Sequence, residues 1–271
     1  MVAYYKRQTW LFMAAGALLG ILFDVLAYAE LLAPQPVFLR GFLIIAPIMI
    51  GVIVGRVLAI RWAGAKLGKI TALLYRDGDP ATFLSAFEPI ADGLSPDNVE
   101  YYDARTKLAF ADEALGRFDR GMKRLEGLDP SRLKMHALGA RAAVCSQQMR
   151  LALRLKDEER AEALRQELQS LKETASGRAP ALAKQLGNCL DLYREWTRVL
   201  QGESADLNYL REEIELAANR IHKSEMQLLL AEAESAAGEV ETARRLLRQA
   251  MDTGKGLYAA DQAAKLLTQY S

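Results

Sequence analysis

The side chains able to do chemistry are few and scattered. The 271-residue chain holds two histidines, His136 and His222, and two cysteines, Cys145 and Cys189. Metal binding or nucleophilic catalysis would need a second ligand or base nearby, and no other His or Cys stands at helical or loop spacing from any of the four. The cysteines read instead as small apolar residues in a reducing compartment. The acid runs Asp157–Glu158–Glu159 and Glu212–Glu213 read as solvated faces and helix-start charges. There is no phosphate loop and no dinucleotide fingerprint. The chain is therefore not expected to be an enzyme, and no catalytic residue, cofactor or metal is expected.

Three groups could still bind. Tyr101, Tyr102 and Arg105 offer two rings and a guanidinium for a protein partner. Asp24 is the single acid inside an apolar run, and a carboxylate in hydrocarbon is a functional candidate by default. Its expected partner is Arg40. Gly16 and Gly20 in "GALLG", and Gly51 and Gly55 in "GVIVG", have the small-xxx-small spacing that lets helix backbones approach in lipid.

Apolar runs at about 10–30 and 37–60 position these residues, each long enough to cross a bilayer core of about 30 Å. "ELLAPQP" links them, so residues 1–62 are expected to form an antiparallel transmembrane hairpin that sets the two glycine pairs at similar depth. Lys6 and Arg7 precede the first run; Arg56, Arg61, Lys66 and Lys69 end or follow the second. Basic flanks favour the cytoplasm, which places both termini and the C-terminal domain there. Trp10 and Trp62 are expected together at the inner interface. A rival reading takes "AYA" (Ala27, Tyr28, Ala29) as a cleavage site, making residues 1–29 a signal peptide. That alternative leaves one span and the same cytoplasmic domain.

Residues 63–271 carry charged, amphipathic helices. Helices are predicted over 63–76, 80–91, 98–115, 117–127, 131–155, 158–174, 180–201, 205–219, 222–237, 239–253 and 257–270. Asp79 with Pro80, and Ala179 with Pro180, mark two starts. Three helix–turn–helix stretches share a layout around "RDGDPATF", "ALGRFDRG" and "AAGEVETA". After the last turn Val240, Ala243, Leu247 and Ala250 form one stripe. Phe118, Gly121, Leu125 and Leu128, and Pro80, Phe83, Phe87 and Ile90, correspond to it. Small residues fall at the crossings, Ala231 with Ala243 and Ala109 with Gly121.

This spacing resembles the tetratricopeptide repeat over about half of the domain. The resemblance implies paired helices stacked into an α-solenoid whose first helices face a concave groove, with Tyr101, Tyr102 and Arg105 lining it. It also implies a last helix that caps an open end. The pattern departs from that family where large aromatic residues are wanted: Gln227, Arg105 and Leu67 stand at one position, and Glu234, Asp112 and Leu74 at the next. An irregular helical bundle is the alternative all-α arrangement.

Net charge is +3 over residues 1–62 and −2 over the remainder, so no general attraction to nucleic acid is expected. The expected function is a membrane-tethered scaffold whose helical domain binds a peptide or partner protein at the cytoplasmic face. The alternative is a subunit of a membrane transport or export assembly that uses Asp24 and the glycine faces. A homo-oligomer or a complex with another membrane protein fits either reading.

Overall fold

A computed structural model describes residues 5–27 and 36–269. Among the described residues there are twelve α-helices and no strand. The chain divides into two compact units, Met1–Ile70 and Thr71–Ser271.

The first unit is built on α1 (Lys6–Ala27) and most of α2 (Val37–Tyr75). The second apolar run and the first predicted domain helix are thus a single helix. The residues between them, Arg61–Trp62–Ala63–Gly64–Ala65, include no proline, and one glycine costs a helix only about 1 kcal/mol. The division between units accordingly falls inside α2 and not at residue 62. Pro47 lies within α2. Most of the linking loop, Glu30 to Gln35, and the Tyr28–Ala29 part of the cleavage motif lie outside the described residues.

The second unit holds α3 (Pro80–Ala91), α4 (Val99–Ala114), α5 (Phe118–Leu125), α6 (Ala137–Leu155), α7 (Glu158–Ser176), α8 (Pro180–Leu200), α9 (Leu207–Leu216), α10 (Arg220–Ala236), α11 (Val240–Thr253) and α12 (Tyr258–Gln269). Caps set several starts. Asp79 Oδ1 accepts from Thr82 N–H at 3.0 Å with Pro80 in the first turn, and Asp157 and Asn219 cap α7 and α10 in the same way. The helix predicted at 131–155 divides into a 3-10 segment, Pro130–His136, and α6. Asp129 caps that segment, and Lys134 breaks it with φ 52°.

Along the chain α3 packs on α4, α4 on α5, α6 on α7, α7 on α8, α9 on α10, α10 on α11 and α11 on α12. In addition α4, α6, α8, α10 and α12 touch in that order, and α12 touches α4, which closes the set into a cycle. α5, α7 and α11 each pack across two of these five. The close crossings follow the expected residues. A Cβ on Gly121 would lie 3.1 Å from the Ala109 carbonyl, and Ala231 and Ala243 are both buried on the packed pair α10 and α11. The last helix does more than cover its neighbour. Tyr258 at its start meets Phe118 edge-on, ring centres 4.8 Å apart, and lies against Gly116, whose φ of +73° and lack of a Cβ both suit the site. Arg220 Nη2 donates to the Gly78 carbonyl at 2.7 Å across the same closure.

Candidate functional site

The glycines of the hairpin face each other. A Cβ built on Gly16 would lie 2.0 Å from the Gly51 carbonyl oxygen, and one on Gly55 would lie 2.3 Å from that of Phe12. Gly20 meets the backbone of Pro47 and Ile48. No side chain fits at these contacts, so the spacing seen in the sequence is met by backbone on backbone. Asp24, one turn beyond Gly20, is also buried, and neither carboxylate oxygen has a hydrogen-bond partner. Arg40 does not supply one. With Gly16 opposite Gly51 and Gly20 opposite Ile48, the register brings Asp24 to Leu43 and Ile44, a turn short of Arg40. Trp62 packs with Tyr5 at 5.1 Å and Phe12 at 5.9 Å, whereas Trp10 is 63% exposed. Trp10 and Trp62 therefore do not stack on each other: the two rings that meet Trp62 lie on another face of α1.

In the second unit the five cyclically packed helices all contribute to one ionic cluster. Arg150 of α6 donates twice to Glu113 of α4, each at 3.0 Å, and once to Glu225 of α10 at 2.8 Å. Gln147 adds a 2.7 Å bond to Glu113. Arg154, one turn on, lies 3.2 Å from Glu225 and 3.6 Å from Glu113. Its guanidinium stacks 4.3 Å from the Trp196 ring centre of α8 and 5.7 Å from that of Tyr258 in α12. Burial alone would lower the Arg150 pKa, but Glu113 and Glu225 more than reverse this and raise it, so the guanidinium is charged. Burial pushes Glu225 up, and Arg150 and Arg154 outweigh that, holding it below the usual carboxylate range. Two cations meet two anions, each held by several partners. The arrangement suits joining helices better than turnover.

His222 lies beside the cluster, 3.7 Å from Glu213. Burial, then Arg150, lowers its pKa. Burial pushes the Cys145 thiol up to about 12 and raises that of Cys189 as well, so both thiols resist ionisation. Among the described residues no three His, Cys, Asp or Glu side chains are placed to hold a metal ion.

A groove of about 720 Å³ lies between α7 and α8 and the end of α6. Leu153, Leu190 and Leu200 contribute apolar surface, while Lys156, Arg165 and Arg194 bring charge.

Comparison with family models, with curated proteins and with solved structures finds no match.

Tyr101, Tyr102 and Arg105 do come together, at the start of α4. Tyr102 is buried, and its hydroxyl donates to the Asp129 carbonyl at 2.7 Å. Tyr101 packs edge-on against it, and Arg105 lies 5.1 Å from the Tyr101 ring centre and 3.2 Å from Asp92. Tyr102 thus ties α4 to the loop before α6, leaving Tyr101 and Arg105 as the more accessible pair. The acids that depart from the repeat pattern also have a structural reason. Asp112 is buried against Arg124 at 2.6 Å, and Glu234 pairs with Arg211. The central cluster was not anticipated. Its only local signal is Arg150 and Arg154 one turn apart in a helix otherwise rich in Ala and Leu; Glu225 lies 75 residues further on.

Proposed function

We propose that this protein is a membrane-tethered scaffold: the hairpin crosses the bilayer twice, and the helical domain, a tetratricopeptide-like solenoid turned back on itself, binds a peptide or partner protein at the cytoplasmic face. The observation that carries the tether is the inverted surface of α1 and α2. Both are long and apolar enough to cross a membrane, yet only 11% of each apolar window is buried. Leu18, Leu19, Leu22, Phe23, Phe42, Ile45 and Ile53 all point outward. A helix pair of that kind in water would expose a patch far beyond what a monomer sustains. The basic flanks support the orientation.

The groove between α7 and α8 supports the binding role. Its apolar floor and charged rim suit a peptide or helix better than a small polar metabolite. A photo-crosslinking residue at Thr197, in the groove, should give a discrete adduct in intact cells, and one at exposed Arg178 should not. Equal adducts from both positions, or none from Thr197, would contradict the binding reading. The transport-assembly alternative keeps one favourable observation, the unpaired Asp24 carboxylate. Its glycine faces are already occupied by each other within the hairpin.

A further inference from the structure

We propose that the basic end of the hairpin is a binding surface for anionic lipid headgroups, centred on Trp62 and formed by Lys6, Arg7, Arg61, Lys66 and Lys69. It rests on the membrane reading above and goes beyond it, since a hairpin can cross a bilayer with no lipid preference.

The two helices change character at one level. On α1 the exposed large apolar residues begin at Trp10 and Leu11, directly after the exposed Lys6 and Arg7. On α2 the exposed apolar belt, interrupted by the exposed Arg56, reaches Leu58, and the exposed cations Arg61, Lys66 and Lys69 follow. Trp62 ties the two levels together, because its indole packs against both Tyr5 and Phe12 of the α1 end. An indole at the edge of an apolar belt is the usual mark of the headgroup layer.

On α2 the cations share a face. At 100° per residue Arg61, Lys69 and Lys66 fall within an arc of about 140° with Trp62 inside it. Lys66 Nζ lies 5.4 Å from the Trp62 ring centre, which holds one cation over the belt edge. None of the five is ion-paired among the described residues. Asp24, the one acid among the described residues of this unit, is about three turns along α1 from Phe12. Five uncompensated cations in a single rim attract phosphate-bearing headgroups, and the attraction falls off within a Debye length. The preference for basic residues on the cytoplasmic side explains their sign. It does not require that the three on α2 share one exposed face with a tryptophan.

The full chain reconstituted into phosphatidylcholine vesicles tests this with spin-labelled phosphatidylglycerol and spin-labelled phosphatidylcholine as probes. The motionally restricted lipid around the protein should favour the anionic probe by about threefold or more at low salt, and the preference should fall as salt rises. The triple variant Arg61→Gln/Lys66→Gln/Lys69→Gln should lose most of it with an unchanged helical spectrum, and Arg178→Gln should keep it. A protein that embeds yet shows no anionic preference, or one whose triple variant retains it, overturns the lipid proposal alone. A protein that alkaline carbonate strips from the vesicles overturns the membrane reading and this proposal together.

Discussion

The hairpin and the helical domain solve the same packing problem in opposite ways. In the hairpin the inside is bare backbone, Gly16 on Gly51 and Gly55 on Phe12, and the outside is Leu, Ile and Phe. In the domain the aliphatic side chains lie between helices, and the place where five helices meet is occupied by Arg150, Arg154, Glu113 and Glu225. In the proposed membrane setting, lipid offers no hydrophobic reward for burying leucine, so close approach must come from residues that lack side chains. Water does reward it, and the aliphatic contacts then supply enough stability to carry a desolvated ionic cluster that fixes which helices meet.

The largest expected effect comes from breaking that cluster. Arg150→Ala leaves Glu113 and Glu225 buried with one cation instead of two, and should cost about 3–5 kcal/mol in urea unfolding of the full chain in detergent. Replacing Arg150, Arg154, Glu113 and Glu225 together by apolar residues of similar volume should cost far less, because no charge is left alone. Equal losses from both would show that the side-chain volumes, not the charges, matter.

Overpacking comes next. Gly16→Leu with Gly51→Leu forces side chains into backbone contacts closer than 3 Å, and should part the helices at a cost of about 1–3 kcal/mol or more. Protease resistance in detergent reads this, and Gly41→Leu, with nothing within 4 Å, should be silent. Ala243→Phe in the domain should cost a similar 1–3 kcal/mol or so, since Ala243 is wholly buried. If the glycine pair proves as tolerant as Gly41, backbone contact is not what holds the hairpin.

Protonation gives the smallest effect. His222 and Glu225 both titrate below their ordinary values of 6.5 and 4.5 in the folded state. The unfolded chain therefore binds more protons, so stability should fall as pH drops below about 6.5 and again through the carboxylate range. Burial raises the pKa of Glu232, which has the opposite sign and costs stability as pH rises above 4.5. Glu232→Gln should accordingly raise the melting temperature slightly at neutral pH and not at pH 4. A gain that persists unchanged at pH 4 would mean the effect is not electrostatic.

Much of this was legible in the sequence because it is local. Periodicity and caps placed most helices, and the spacing of small residues marked Gly16, Gly51 and the Ala109–Gly121 crossing. What escaped depends on distant partners. Arg150 reads as one more helix-surface cation until α4 and α10 bring carboxylates to it. Tyr102 reads as a groove residue until the loop after α5 supplies Asp129. The Asp24–Arg40 pairing failed on register, which a hairpin fixes turn by turn through its backbone contacts and which spacing from the loop does not convey; Trp10 misses Trp62 because it lies on another face of α1.

Cysteine accessibility in intact cells is the most direct test of the tethered arrangement. Gln35→Cys lies in the expected outer loop, outside the described residues, and Glu239→Cys lies on an exposed turn of the domain. A membrane-impermeant maleimide should label the first and spare the second until the membrane is opened; the raised pKa values of Cys145 and Cys189 keep the background low. Labelling of Glu239→Cys in sealed cells would place the domain outside and contradict the cytoplasmic scaffold.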